Sequence, residues 1–101
     1  MAKTEHRQRS LALYETILKL KDLDECKKFF EDLCTVPELK AMSQRIAVAK
    51  MLSERHVYSD IVDKTGASTA TISRVNRSLN YGSDGYTLIF ERLLTGGGKE
   101  D

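Results

Sequence analysis

The chain has 101 residues, 41% hydrophobic and 31% charged, with a formal net charge of +1. That length suits one domain with a modest core, and no run approaches the roughly 20 apolar residues of a membrane span. A net charge so close to zero argues against strong nonspecific attraction to nucleic acid.

Helical periodicity dominates and no convincing strand alternation is present, so the expected class is all-α. The first ten residues are polar and lead into no secretory apolar segment, which makes a cytoplasmic protein the expectation. Residues 7–21 place Leu11, Tyr14, Ile17, Leu18 and Lys21 at three- and four-residue steps, and Leu13 and Leu20 widen the apolar surface. Asp24 is the expected cap of a second helix with Phe29, Phe30, Leu33 and Cys34 as its apolar residues. Cys26 and Cys34 are the only cysteines. On one helix, eight residues separate them by about 12 Å, too far for a disulfide. Free buried thiols are expected, and without a nearby His pair they make a poor zinc site.

Pro37, the only proline, fits the first turn of a third helix capped by Thr35 or Val36. This helix should run to about Arg55 with Leu39, Met42, Ile46, Ala49 and Leu52 on one stripe. His56 to Tyr58 connects it to the most informative part of the chain, residues 58–79. There a short helix, a glycine turn and a second short helix follow one another, the layout of a helix-turn-helix. Gly66 stands where the chain needs positive φ. Ser68 can cap the second helix by accepting from the amide of Ala70 or Thr71, and Ser59 can cap the first. Ile61 and Thr65, with Ala67, Ile72, Val75 and Leu79, can close a small core between the two. Asn80 to Gly85 is dense in turn residues and breaks the pattern. Tyr86, Ile89, Phe90, Leu93 and Leu94 then share one helical face. Residues 1–95 therefore read as one helical domain, and 96–101 as a flexible tail.

On a wheel of about 100° per residue, Ile72, Val75 and Leu79 fall on one side of the second motif helix. Ala70, Ser73, Arg74 and Arg77 then point outward, with Thr69 and Thr71 at the N-terminal end that meets base edges in this motif. Small outward residues let a helix sit deep in the major groove, and their methyls and hydroxyls can touch bases. The free amides of residues 68–71 favour a phosphate, and the arginines suit phosphate or guanine. Asn76 joins these residues as a candidate DNA contact, and Ser59 offers a further phosphate contact. Charge supports this assignment: Lys64 to Gly82 holds Lys64, Arg74 and Arg77 but no acid, whereas Asp22 to Glu38 carries six acids. The plain alternative is a solvated helix covered by Ser, Thr and Arg, which leaves the acid-free surface and the Gly66 turn as coincidences.

The segments Leu33–Arg45 and Gly66–Leu79 carry a resemblance to the Trp repressor superfamily, most closely to its Trp-repressor-like members of the YerC/YecD type. The likeness spans about residues 10–95 in helix order. It implies six helices, with the terminal ones interlocked between two subunits and the helix-turn-helix units protruding. The excess apolar surface of the first and last helices points the same way. In the Trp repressor, tryptophan binds between the motif and the core. The resemblance implies that Thr35, Arg45 and Arg74 correspond to polar residues of that site. Val75, however, stands where the repressor has glycine, and on the inward stripe it should fill the space of an indole. Arg45 then serves a structural ion pair, or is a snorkelling side chain, or shares a carboxylate effector with Arg74.

The leading expectation is a sequence-specific DNA-binding regulator, a repressor, acting as a homodimer with an effector other than tryptophan. The competing expectation is a protein-interaction module that kept the architecture without binding DNA, which the near-neutral charge favours. An enzyme has little behind it: His6 and His56 meet no nucleophile or paired carboxylate, and no cofactor or metal motif is present.

Overall fold

A computed structural model describes residues 2–100, with side chains described for residues 3–94. It contains six helices: α1 (Ala2–Ile17), α2 (Leu23–Leu33), α3 (Val36–Ser53), α4 (Tyr58–Thr65), α5 (Thr69–Tyr81) and α6 (Gly85–Glu100). No strand occurs among the described residues, and none of these helices is long and apolar enough to cross a membrane. The all-α expectation holds. The chain divides between Leu39 and Lys40 into two compact units.

Within the first unit, caps decide where the helices lie. Asp22, not Asp24, is the N-cap of α2, because it is the residue in extended geometry (φ −151°, ψ 178°). Its Oδ1 accepts the Glu25 N–H at 2.9 Å, and Glu25 in turn accepts the Lys21 N–H at 2.9 Å. α1 ends at Ile17, short of the expected position 21, where the Lys19 and Leu20 N–H groups turn to the carbonyls three residues back, Thr16 and Ile17. Cys34 is the extended C-cap of α2. Both cysteines are free and half-buried, so they are less enclosed than expected. Thr35 then caps α3 reciprocally: its Oγ1 accepts the Glu38 N–H at 3.2 Å, and Glu38 Oε1 accepts the Thr35 N–H at 2.8 Å. This is a capping box. The Thr35 backbone N–H first, and its hydroxyl second, hold the Glu38 carboxyl below its ordinary value.

The second unit holds the core. Val48 and Ala49 of α3, Ile61 of α4, Ala67 of the turn, and Ile72 and Val75 of α5 are each at most 2% exposed. Met51, Leu52, Val62, Tyr86 and Phe90 pack against them half-buried, and the Tyr86 and Phe90 rings stack along α6 at 6.0 Å. The buried face of α3 is therefore rotated from the expected stripe: Val48 joins Ala49 inside, while Ile46 is exposed. α3 stops at Ser53, two residues earlier than expected, as Arg55 takes a left-handed φ of 67°. The expected turn at Asn80 starts later, because α5 continues to Tyr81. Asn80 stays helical with its side-chain amide donating to the Asn76 carbonyl and side chain. The end of α6 at Glu100 lies within the segment expected as a tail. The side chains of that segment, and Asp101 altogether, lie outside the described residues.

Two glycines flank the turn between α5 and α6, and they differ in a testable way. A Cβ on Gly82 would clash with the Ser78 carbonyl oxygen, whereas one on Gly85 meets nothing within 4 Å. Gly82→Ala should therefore cost about 1–3 kcal/mol by forced displacement. Gly85→Ala should be neutral or stabilising by up to about 1 kcal/mol through the unfolded state. Urea denaturation midpoints of the two variants measure the difference, and equal midpoints would contradict it.

Candidate nucleic-acid interface

The motif is built as its residues dictate. α4 begins after Val57, an extended residue with no side-chain cap. Ser59, expected to cap this helix, instead lies inside it and is exposed, because the chain is already helical at Tyr58. α4 ends on Gly66 in the left-handed conformation (φ 73°, ψ 5°), its N–H returning to the Val62 carbonyl. There glycine avoids a penalty of about 1–2 kcal/mol that another residue would meet. Thr65 braces the turn: its hydroxyl donates to the Ile61 carbonyl at 2.7 Å and accepts the Ala67 N–H at 3.1 Å. Ser68 caps α5 by accepting the Thr71 N–H at 3.1 Å. Of the two amides expected to meet this hydroxyl, Thr71 does so.

Burial sorts the α5 side chains as the helical wheel expected. Ile72 and Val75 are buried and Leu79 is half-buried, while Thr69, Ala70, Ser73, Arg74 and Arg77 are exposed. Thr71 and Asn76 are half-buried; the Ser68 hydroxyl donates to Thr71 Oγ1, and the Asn76 side chain accepts from Asn80. The first turn of α5 contains no acid. Neither arginine enters an ion pair among the described residues; the pairs formed there are Arg9–Glu5, Lys28–Asp24, Lys50–Glu54 and His56–Glu54, all distant in sequence from α5.

Of the three residues that the resemblance places around an effector, Thr35 alone has a side-chain partner among the described residues. Thr35 is occupied at the start of α3. Arg45 and Arg74 are exposed and take part in none of those ion pairs, so the structural ion pair considered for Arg45 is not formed among the described residues. Val75, at 2% exposed, fills the inward position between Ile72 and Leu79. One functional candidate is not evident from the sequence. Gln44 of α3 donates its side-chain N–H to the Thr65 carbonyl at 3.1 Å in a partly buried contact. Its signal is a polar residue one turn before Val48, hidden when the apolar stripe is placed on the neighbouring face.

Residues 8–94 match the family model described as Trp repressor protein. The chain is 54% identical over 81 residues to the uncharacterized protein YerC of Bacillus subtilis (strain 168), covering 80% of this chain and 78% of that protein. A crystal structure of a TrpR-like protein from Eubacterium eligens ATCC 27750 superposes with a TM-score of 0.82 at 64% identity, over 85% of this chain and 89% of that one. A candidate Trp repressor from Staphylococcus aureus superposes with a TM-score of 0.83 at 48% identity, over 92% and 94% of the two chains.

Proposed function

The chain belongs to the Trp repressor family, and from that premise we propose that it is a sequence-specific DNA-binding repressor acting as a homodimer in the bacterial cytoplasm. The observation that carries this reading is the division of α5. Ile72 and Val75 anchor it in the core, and its opposite face offers Thr69, Ala70, Ser73, Arg74 and Arg77 to solvent without an acid among them. On this reading Thr69 and Thr71 meet base edges, Ser68 and the free amides behind it bind a phosphate, and Ser59, Arg74, Asn76 and Arg77 hold the backbone in register. The runner-up, a protein-interaction module without DNA binding, draws on the net charge of +1. A mobility shift that weakens with salt separates the two.

Arg77→Ala should weaken binding across all sequences and lower the salt slope by about one unit if it contacts one phosphate. Thr69→Ala or Thr71→Ala should change the preferred sequence, by about 1–3 kcal/mol for each base interaction removed. Unaltered preference in both threonine variants would count against α5 as the reading helix.

Dimerisation rests on apolar surface that the single chain leaves open. No described residue of α1 or α2 is buried, and Leu11, Tyr14, Leu18, Leu88, Leu93 and Leu94 are exposed, Leu18 to 81% and Leu94 to 76%. Faces of this kind suit a second copy, and two α5 helices could then address two half-sites. Sedimentation at micromolar concentration should give a dimer, and Leu18→Asp should unfold the protein instead of releasing a monomer. A stable, folded monomer would contradict both expectations.

The buried Val75 supports an effector other than tryptophan; a small carboxylate clamped by Arg45 and Arg74 is the candidate ligand. L-tryptophan should leave the melting temperature and DNA affinity unchanged. A ligand of the native state at 100 times its Kd adds about 2.7 kcal/mol of stability, which a thermal-shift titration detects. Saturable tryptophan binding would overturn the assignment of Val75.

A further inference from the structure

In the turn between α4 and α5 only Ala67 joins the apolar core, while Gly66 and Ser68 are exposed. A Cβ built on Gly66 would meet nothing within 4 Å, and the start of α4 has no side-chain cap. The apolar cluster beneath the motif is non-directional: it holds α5 against α3 without fixing its roll or slide. The last carbonyls of a helix lack intrahelical partners, and the carbonyl of Thr65, the final residue of α4, is one of them. Gln44 Nε2 reaches it from α3 at 3.1 Å across 21 positions of sequence. Thr65 at the same time ties Ile61 behind the turn to Ala67 beyond it through its hydroxyl. A single side chain on α3 is thereby bonded to the residue that braces the turn leading into α5.

We propose that Gln44 is a positioning residue for DNA reading: its bond to Thr65 fixes the angle at which α5 is presented, so that bases, and not phosphates alone, are met in register. The role in DNA reading rests on the function proposed above; the pinning of the turn does not. Removing this one directional bond should reduce discrimination, because the exposed charges that attract DNA are untouched.

The test uses the full chain with Gln44→Met, which keeps length and helix preference but removes the donor, and Gln44→Glu, which sets a carboxylate against the carbonyl. Three quantities are measured: amide hydrogen exchange at Gly66, Ala67 and Thr71; Kd for a selected duplex and for its scrambled counterpart at one salt concentration; and thermal melting. In the Met variant those amides should exchange about tenfold faster, as expected when one hydrogen bond is removed, and faster still in the Glu variant. The Kd for the selected duplex should rise by about tenfold while that for the scrambled duplex stays unchanged. Unchanged exchange, an equal loss on both duplexes, or a Met variant that does not fold would each overturn the proposal. If the unmodified protein fails to discriminate the duplexes, the DNA reading falls, and the exchange rates still decide whether Gln44 pins the turn.

Discussion

Everything in the second unit depends on a small buried cluster in which Val48 and Ala49 meet Ile61, Ala67, Ile72 and Val75. Each of three helices contributes, and the turn supplies Ala67, so the motif cannot come away from α3 without opening this core. Truncating Ile61 or Ile72 to alanine would typically cost about 2–5 kcal/mol, a large share of the roughly 5–15 kcal/mol by which domains are stable. The same packing dictates what is left outside. Once Ile72 and Val75 face inward, helical geometry sends Ser73, Arg74 and Arg77 to the surface.

Electrostatics then distinguishes that surface from an ordinary solvated helix. The chain as a whole is nearly neutral, yet no acid lies between Lys64 and Gly82, while six lie between Asp22 and Glu38. The ion pairs formed elsewhere are exposed pairs within one or two turns of each other, worth at most about 1 kcal/mol each. None takes up Arg74 or Arg77. On the proposed function, a face with two exposed arginines that enter no ion pair among the described residues, small hydroxyl residues and a capped helix start would meet a partner that is anionic and regularly spaced. Because the total charge is small, affinity would depend on fit more than on bulk attraction, which makes the rigidity of the α4–α5 turn consequential.

The motif is the most legible part of the sequence, because several local rules converge there. Gly66 needs positive φ, Ser68 needs to cap, and Ile72 with Val75 needs to be inside, and each has the geometry those needs imply. Helix ends are less legible wherever two residues of one type compete for a role. Asp22 and Asp24 are both competent caps, and only the backbone shows that Asp22 is extended. Ser59 resembles a cap, but Tyr58 is already helical, so its hydroxyl is left on the surface. The stripe of α3 is misplaced from sequence because Ile46 and Val48 are equally apolar, and only the positions of α4 and α5 choose between them. Gln44 is invisible for a related reason: its partner, the Thr65 carbonyl, is backbone, and backbone acceptors leave no mark in a sequence.

The central claim is that α5 reads DNA as one of a symmetric pair. Selection from a random DNA pool at near-physiological salt, followed by mapping of the recovered motifs, tests this most directly. It should return inverted half-sites whose centres lie about one helical turn, roughly 10 base pairs, or a multiple of that apart. A pool that shows no enrichment, or that yields only single unpaired sites, would contradict it.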